Sequence, residues 1–405
     1  MTIPINKAAV IGAGNMGCGI AGLLAGAGMR VVLLDAIPSA LSEEDIKKGL
    51  SEDTPAFRNR QVQAGFDRMR NPKSGQLFIK EHAEQISIGN TADDMRMLAD
   101  CDWIIEVVVE RLEVKKALMR EIAKHRKKDC IVSTNTSGIS VRRIAEDESD
   151  AFRSHFIGTH FFNPPQLMRL FEIIPTDETL PEVLRRMEIM GRDILGKGVV
   201  IAKNTPNFIA NRIGVYSSVV AMQLMEKYGY DIPTADQLTG PVMGRPKSAV
   251  FRTTDMVGID ILADVAENIT TCIPSEKEHF ALPGFISQLL SNNAMGNKSG
   301  RGFYTRAQGK TSYWDPNAEA YVEFRPHTPE AVTSALKSEN KYAAAVGGDG
   351  TEHRFWWELV KRMLIYSASK IPEITDDYRM IDKAMVWGYN WEKGPFEIWD
   401  AIGVK

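Results

Sequence analysis

The stretch from residue 7 to residue 35 restricts the fold more than any other part of the chain. Residues 8–11 form a short apolar run, and glycines follow at positions 12, 14 and 17. Apolar residues then recur at helical spacing as far as Gly28, and a second apolar run, residues 31–34, ends at Asp35. Short apolar runs bounded by glycine are typical of buried strands. The segment is therefore predicted to fold as strand, tight turn, helix and strand.

This arrangement is the fingerprint of a dinucleotide-binding domain. Its first glycine permits a tight turn, the second lets the backbone approach a pyrophosphate, and the third allows close packing of helix on strand. The helix N-terminus then offers free N–H groups to the phosphates. We assign the cofactor contacts of the turn to Gly12, Gly14, Asn15, Met16 and Gly17. FAD uses the same fingerprint, so the rest of the chain has to decide the cofactor.

The acid at the end of the second predicted strand favours one class of dinucleotide. Asp35 lies 23 residues after Gly12, where a carboxylate can accept hydrogen bonds from the adenosine ribose hydroxyls. The same charge repels a 2′-phosphate, so Asp35 favours NAD over NADP.

Composition narrows the function classes. A chain of 405 residues is long enough for two or three domains, and its net charge of −3 gives no basic field for nucleic acid. It has no 18-residue apolar run, so we expect no membrane span. The four cysteines are scattered without a CxxC pair, which predicts reduced thiols in a cytoplasmic protein and no metal site.

Further predicted strands carry polar residues at their ends. Residues 103–110 are almost continuously apolar and predict a central parallel strand that ends at Glu110, where open α/β sheets bind ligands. Glu110 also suits the N-terminus of the helix predicted over residues 112–125, so both interpretations stay open. The strand predicted over residues 130–134 leads into Asn135 and Ser137, which suit ribose, nicotinamide or substrate contacts or, alternatively, helix capping.

Two later strands are predicted to bring an imidazole and a carboxylate together. His160 lies in the apolar run 156–162, and Glu172 lies within the run 170–174. An unpaired acid among apolar residues is costly. A buried carboxylate beside a buried imidazole satisfies both groups and raises the basicity of the imidazole, as general-base chemistry requires.

The chain changes character near Lys203. A long helix is predicted there, with Thr205 as N-cap and Pro206 in its first turn, and helical periodicity dominates afterwards. Residues 244–260 and 390–404 share an aromatic residue four positions before an aspartate, followed by two apolar residues and glycine, which indicates a duplicated helical unit. Residues 307–350 are interpreted as a loose connection. The expected domains are residues 1–203, 204–310 and 311–405.

The chain resembles the L-3-hydroxyacyl-CoA dehydrogenase family. The resemblance is carried by VIGAGNMGCGIA, IIEVVVERLEVKKAL, STNTSGIS, GTHFFNPPQLMRLFEII, KNTPNFIANRIG and SGRGFY, in this order, across residues 5–305. The second helical copy is similar to the duplicated form found in multifunctional β-oxidation enzymes. The implied fold is a Rossmann-type, mostly parallel sheet followed by an all-α domain built from a duplicated helical unit.

The resemblance also implies the activity and the roles of single residues. It implies NAD-dependent oxidation of (S)-3-hydroxyacyl-CoA to 3-ketoacyl-CoA in fatty-acid β-oxidation. His160 is similar to the family's base and Glu172 to its partner, Ser137 to a substrate-oxygen ligand, and Asn211 to a substrate-side amide. Glu110 and Lys115 match cofactor-cleft positions, and Asn135 matches a nicotinamide-ribose contact. The basic stretch from Arg58 to Lys73 contains the expected CoA-phosphate contact or, alternatively, only a solvated helix face.

Other interpretations stay open at this point. A different NAD-dependent β-hydroxyacid or sugar-nucleotide dehydrogenase shares the fingerprint, but it typically uses lysine or cysteine as the base. A non-catalytic structural member of the family is the second alternative. Expected partners are the 3-hydroxyacyl-CoA substrate and an enoyl-CoA hydratase domain or subunit, without nucleic acid. We expect a monomer or a homodimer.

Overall fold

The computed structural model describes residues 4–307 and 309–403. The chain forms two compact units, Met1–Asn204 and Thr205–Lys405. The first combines a large sheet with helices, and the second is mainly helical.

The first unit is built on one eight-stranded sheet. Its strands are β1 (Lys7–Ile11), β2 (Arg30–Asp35), β3 (Ile86–Asn90), β4 (Trp103–Glu106), β5 (Ile131–Thr134), β6 (Phe156–Phe161), β7 (Leu170–Ile174) and β8 (Gly198–Ile201). They lie in the order β3-β2-β1-β4-β5-β6-β7-β8, and all neighbours are parallel except β6 and β7. The strand order reverses between β1 and β4, the position where sheets of this kind bind nucleotides.

Helices connect these strands. They are α1 (Asn15–Gly26), α2 (Glu43–Lys47), α3 (Pro55–Arg58), α4 (Arg60–Arg70), α5 (Leu112–His125), α6 (Val141–Ala145), α7 (Asp150–Arg153) and α8 (Pro181–Ile189). A π-helical turn, Met190–Ile194, extends α8. The central strands are buried on both faces, and Val10, Ile105 and Ile131 are each completely buried. This is the Rossmann-type arrangement that the sequence predicts.

One predicted strand is too long. The apolar run 103–110 forms a strand only as far as Glu106, and residues 107–110 form a loop. The Glu106 carboxylate is completely buried and accepts a hydrogen bond from the Val108 N–H at 2.7 Å. The backbone turns to supply this donor, because a buried acid without donors is costly. Glu110 consequently lies in the loop before α5 and not at a strand end.

The second unit contains ten α-helices among residues 205–307 and 309–403. They are α9 (Ala210–Tyr228), α10 (Ile232–Thr239), α11 (Phe251–Val257), α12 (Ile259–Cys272), α13 (Gly284–Ser291), α14 (Glu330–Lys337), α15 (Lys341–Val346), α16 (Thr351–Ser369), α17 (Tyr378–Gly388) and α18 (Pro395–Ile402). The two longest, α9 and α16, pack on each other. Across residues 4–307 and 309–403, none of the helices combines the length and apolar character that a membrane crossing needs.

The long helix begins later than predicted. It starts at Ala210 and not after Thr205, and Ile209 is its N-cap residue. Asn207 and Phe208 have φ values of 61° and 50°, which no α-helix accommodates. Phe208 is completely buried, so the packing of its ring overrides the capping signal of Thr205 and Pro206.

The predicted loose connection contains regular structure. Residues 304–307 and 309–323 contain an antiparallel sheet of three strands, β9 (Tyr304–Ala307), β10 (Lys310–Asp315) and β11 (Ala320–Glu323), with β10 in the middle. Helices α14 and α15 follow. Most of the residues in these strands are half-buried or exposed, so the alternation of apolar and polar residues that reveals a strand is weak.

The two copies of the predicted internal repeat have an equivalent hydrogen bond. Asp236 of α10 accepts from the Phe251 N–H at 2.8 Å, and Asp382 of α17 accepts from the Phe396 N–H at 2.8 Å. Phe251 and Phe396 are the aromatic residues of the two sequence copies, and each lies in the first turn of its helix. An equivalent buried aspartate thus accepts a hydrogen bond at a helix start next to each copy, and the duplication itself stays a prediction.

Candidate active site

The glycine-rich turn has the geometry that a pyrophosphate needs. Gly12 has a φ of 114°, and a Cβ atom there would lie 2.4 Å from the Val107 carbonyl oxygen. A Cβ on Gly17 would lie 1.8 Å from the Gly12 carbonyl oxygen, so the close approach of helix and turn excludes any side chain. A Cβ on Gly14 would meet no atom of the described residues within 4 Å. The space beside Gly14 therefore fits a phosphate group at the N-terminus of α1.

The acid at the end of β2 is held beside this turn. Asp35 Oδ2 accepts from the Ala13 N–H at 2.9 Å, and its Oδ1 accepts from the Ala36 N–H at 2.7 Å. A carboxylate has further lone pairs beyond these two bonds. Asp35 is half-buried and therefore stays accessible to a ligand. This position agrees with a role in ribose binding.

Asn15 and Met16 begin α1 directly after the turn. The Gln76 side-chain amide donates to Asn15 Oδ1 at 2.9 Å, and Asn15 in turn donates to Asn163 Oδ1 at 3.2 Å. Asn15 is exposed and Met16 is half-buried. The start of α1 is thereby tied to the loop that follows β6.

A buried ion pair supports the end of β4. The Lys115 ammonium of α5 lies 2.7 Å from Glu106 Oε1 and 3.1 Å from Glu110 Oε2, and its side chain is 1% exposed. Glu106 also accepts from the Val108 N–H at 2.7 Å and from the Thr134 hydroxyl at 2.6 Å. Lys115 therefore fixes the loop between β4 and α5, and its direct contact with a cofactor stays a prediction.

Glu110 organises the loop that follows β5. Its Oε1 accepts from the Thr136 hydroxyl and from the Ser137 N–H, the latter at 3.0 Å. Burial alone would raise the pKa of Glu110, but the Lys115 ammonium and the Thr136 hydroxyl hold that pKa below its usual value. Glu110 is thus an ionised acceptor that positions Ser137.

The predicted imidazole–carboxylate pair is present. His160 and Glu172 face each other in the antiparallel pairing of β6 with β7, and His160 Nδ1 lies 2.8 Å from Glu172 Oε2. Glu172 is completely buried, and the His160 ring lies 4.5 Å from the Phe162 ring, measured between centroids. A carboxylate on Nδ1 fixes the tautomer with a proton on that nitrogen and makes Nε2 the basic atom.

Asn135 connects the β5 loop to the histidine strand. Its Oδ1 accepts from the Phe161 N–H at 2.9 Å, directly after His160. The Asn135 N–H donates to the Glu106 carbonyl oxygen at 2.8 Å. The ends of β4, β5 and β6, which carry Glu106, Asn135 and His160, are therefore joined at the carboxyl edge of the sheet, together with the glycine turn after β1.

Comparison with known proteins identifies the family. Residues 7–205 match the family model described as 3-hydroxyacyl-CoA dehydrogenase, NAD binding domain, and residues 208–306 match the model of its C-terminal domain. A Deinococcus radiodurans protein named "Probable 3-hydroxyacyl-CoA dehydrogenase" is 42% identical over 347 residues, which are 80% of this chain and 96% of that protein. The chain belongs to the 3-hydroxyacyl-CoA dehydrogenase family. Its first unit is the NAD-binding domain, so the cofactor is NAD.

Two further relatives extend the match along the chain. A Bacillus subtilis protein named "Probable 3-hydroxyacyl-CoA dehydrogenase" is 47% identical over 406 residues, which cover 99% of this chain and 51% of that protein. The chain thus spans about half the length of this relative. The solved structure of 3-hydroxybutyryl-CoA dehydrogenase from Escherichia coli K12 matches with a TM-score of 0.69 and 22% identity, over 99% of this chain and 93% of that one. This second likeness concerns the fold alone.

In this member of the dehydrogenase family, the predicted substrate-side amide lies in the second unit. Asn211 is the second residue of α9, is half-buried, and its Oδ1 lies 3.5 Å from the Tyr389 hydroxyl. Its neighbour Arg212 is completely buried, with Glu276 at 2.9 Å and Glu373 at 3.1 Å. Arg212 therefore stabilises the helical unit, and the role of Asn211 stays a prediction.

The basic stretch between residues 58 and 73 is only partly available for a phosphate. Arg58 forms two hydrogen bonds with Asp93, both 2.7 Å long, and Arg60 pairs with Asp45. Arg68 donates to the Ala13 carbonyl oxygen at 3.0 Å and so supports the glycine turn.

Arg70 and Lys73 are exposed at the end of this segment. A contact between this stretch and a CoA phosphate stays a prediction.

Sequence reasoning overlooked three amide side chains that hold the cofactor turn. Gln76 and Asn163 contact Asn15, as described above, and Gln166 donates to the Gly19 carbonyl oxygen of α1 at 2.7 Å. The residues joined by these contacts are between 61 and 148 positions apart in the sequence. A single sequence carries no periodic or spacing signal for such pairs.

Proposed function

We propose that this chain oxidises (S)-3-hydroxyacyl-CoA to 3-ketoacyl-CoA in fatty-acid β-oxidation. The observation that carries the proposal is the hydrogen bond between His160 and Glu172 at the carboxyl edge of an NAD-binding sheet. An imidazole buried beside an acid there is the group that can take a proton from a substrate hydroxyl. NAD supplies the hydride acceptor when it is bound.

The proton transfer follows from the arrangement of the two side chains. His160 removes the hydroxyl proton of the substrate through Nε2 and becomes an imidazolium. Glu172 stabilises that charge across its 2.8 Å contact with Nδ1. Because Glu172 is completely buried, it also fixes the plane in which the ring presents Nε2. The pair thus acts as base and positioning acid.

The neighbouring side chains have distinct proposed roles. Ser137, held by Glu110, binds the substrate oxygen, and Asn135 binds the nicotinamide ribose. Asn211 of the second unit supplies a substrate-side amide. The turn at Gly12–Gly17 and Asp35 bind the pyrophosphate and the adenosine ribose. Support comes from the hydrogen bonds that tie Ser137 to Glu110 and Asn135 to Phe161 of β6.

The test is steady-state NADH formation with 3-hydroxyacyl-CoA substrates of increasing chain length. His160→Ala should lower kcat by roughly 10²–10⁴-fold, the usual contribution of a positioned general base, with little change in NAD affinity. His155→Ala is the matched control, since His155 lies just before the amino end of β6, away from the pair. Normal turnover of the His160→Ala variant would remove this residue from the mechanism.

The same assay decides between the alternatives. A non-catalytic family member would form no NADH with any acyl-CoA, although it would still bind NAD. A dehydrogenase for a different β-hydroxyacid would reduce NAD with a free hydroxyacid and not with its CoA thioester. The His160–Glu172 pair favours the acyl-CoA reaction, because the rival classes typically use lysine or cysteine as the base.

An enoyl-CoA hydratase domain or subunit stays the expected partner. Hydration of a 2-enoyl-CoA is the class of reaction that supplies a 3-hydroxyacyl-CoA, and the B. subtilis relative is about twice as long as the part matched here. Co-purification followed by an assay with a 2-enoyl-CoA would test this proposal. The cytoplasmic location and the choice between monomer and homodimer also stay predictions.

A further inference from the structure

The first unit contains a cavity at the edge of the sheet opposite to the glycine turn. The cavity measures about 480 Å³, a size typical of small-molecule sites. It is lined by the chain before β1, by the turn between α1 and β2, and by the end of α8 with its π-helical extension. Both β1 and β2 begin there, whereas Gly12 and Asp35 lie at their other ends. The cavity is therefore separate from the proposed NAD site.

The walls of this cavity are mostly apolar, and its charged side chains are both cationic. Ile5, Met29, Ile189, Met190 and Ile194 supply the larger apolar surfaces. Arg30 and Arg186 also line the cavity, and no acidic side chain is among the lining residues in the part of the chain that the structure describes. A site of this composition suits an anion that carries an apolar body.

Arg186 is the feature that points to a ligand. It is 6% exposed, and its Nε atom is buried without a hydrogen-bond partner in the described parts of the chain. Among the described residues, the terminal nitrogens Nη1 and Nη2 are not among the buried atoms without a partner, so the unsatisfied donor is Nε alone. A buried N–H without an acceptor is costly, and an anion seated on the guanidinium would supply the missing acceptor.

The backbone next to Arg186 is also unusual. Directly after Ile189 the helix changes to π-helical geometry, with a hydrogen bond from the Leu195 N–H to the Met190 carbonyl oxygen at 2.9 Å. Such turns are rare and occur often at functional sites. Here the π-helical turn supplies Met190 and Ile194 to the cavity wall.

We propose that this cavity binds an aliphatic carboxylate of medium length, with its head group on Arg186 and its chain against Ile5, Met29 and Ile189. The planar guanidinium matches a carboxylate with two parallel hydrogen bonds. Arg30, at the exposed rim, adds a second positive charge. This ligand is distinct from the proposed acyl-CoA substrate and lies at the opposite edge of the sheet.

Isothermal titration with sodium octanoate tests the proposal on the full chain. The wild type should bind one octanoate, and inorganic phosphate or octanol alone should bind much more weakly, because each offers half of the required chemistry. Arg186→Met should lower octanoate affinity at least about tenfold, the effect of losing a charge-assisted hydrogen bond. Arg185→Met is the matched control, because Arg185 is the adjacent, exposed residue and should leave the affinity unchanged.

Thermal unfolding without ligand separates a binding role from a structural one. Removing a buried N–H that has no acceptor should raise the melting temperature of Arg186→Met, whereas loss of a structural contact would lower it. Ile194→Trp provides a second variant, because it narrows the cavity at a half-exposed position and keeps Arg186. It should weaken octanoate binding as well. NAD affinity should stay constant in all three variants.

Several results would overturn the proposal. They are the absence of saturable octanoate binding to the wild type, equal affinity in the Arg186→Met variant, or phosphate binding as tight as octanoate binding. Failure of the NADH assay with acyl-CoA substrates would refute the proposed function but would leave octanoate binding unaffected.

Discussion

Removal of the Lys115 ammonium should destabilise the first unit. In the Lys115→Met variant, the Glu106 carboxylate would stay completely buried without its cation. Truncating one partner of a buried ion pair typically costs about 3–5 kcal/mol. Glu106 retains two neutral donors, the Val108 N–H and the Thr134 hydroxyl, so we expect about 3 kcal/mol, the lower end of that range.

The measurement is urea unfolding monitored by hydrogen exchange in peptides of the first unit. This readout gives the free energy of unfolding of that unit separately. Lys116→Met is the matched control. Its ammonium pairs with Glu146 and Asp147, both largely exposed, so its loss should change the free energy of unfolding by less than about 1 kcal/mol. The Michaelis constant for NAD should rise in Lys115→Met, because the loop that carries Glu110 loses its anchor.

The double variant Lys115→Met/Glu106→Gln identifies the cause. A neutral amide at position 106 no longer needs a cation, so this variant should recover about 2 kcal/mol of the lost stability. If Lys115→Met unfolds like the wild type while the Michaelis constant for NAD rises, Lys115 acts on the cofactor directly and the stability argument is wrong. An equally unstable double variant would exclude the orphaned carboxylate as the cause.

Three further changes test other parts of the structure. Glu172→Gln should lower kcat at least about 100-fold without a change in the Michaelis constant for NAD, because an amide cannot stabilise the His160 imidazolium. Asp35→Ala should reduce the preference for NAD over NADP in a cofactor titration, and an unchanged preference would refute the ribose contact. Burial raises the pKa values of Asp236 and Asp382 to about 7. Between about pH 4 and 7, these two aspartates are therefore protonated in the folded unit and ionised in the unfolded chain. The free energy of unfolding of the second unit, measured with urea, should fall as the pH rises from about 4 to 7. Asp236→Asn or Asp382→Asn should make this dependence on pH less steep. An unchanged slope would contradict the raised pKa values.

The sequence predicts those features of the fold that depend on local patterns. The helix Leu112–His125 and the strand Leu170–Ile174 have the bounds expected from their periodicity. The sequence predicts the pairing of His160 with Glu172 because a buried acid requires a partner, and the structure confirms this contact. These inferences need only residues that are near in sequence or a general cost of burial.

Other features depend on tertiary contacts that no local pattern reveals. The shortened strand at Glu106 results from donors on three different elements, and the late start of α9 results from the burial of Phe208. The hydrogen bond between Asn15 and Asn163 joins residues 148 positions apart. The cavity at Arg186 likewise combines three chain segments, and in the sequence Arg186 resembles any charged residue of an amphipathic helix.

The spacing of twelve between His160 and Glu172 is a consequence of sheet topology. In the antiparallel pairing of β6 with β7, Gly158 faces Ile174 and Phe161 faces Phe171, so every facing pair is centred on residue 166. Facing side chains in such a pair lie on the same side of the sheet within contact distance. A residue near the end of β6 therefore meets one near the start of β7.

This position matters because β6 runs parallel to β5 and the nucleotide-binding strands, so its end lies at their carboxyl edge. Had β7 been parallel to β6, the start of β7 would lie at the opposite edge, and an acid there could not reach an imidazole beside the cofactor. The antiparallel direction of β7 thus places the buried Glu172 carboxylate behind His160.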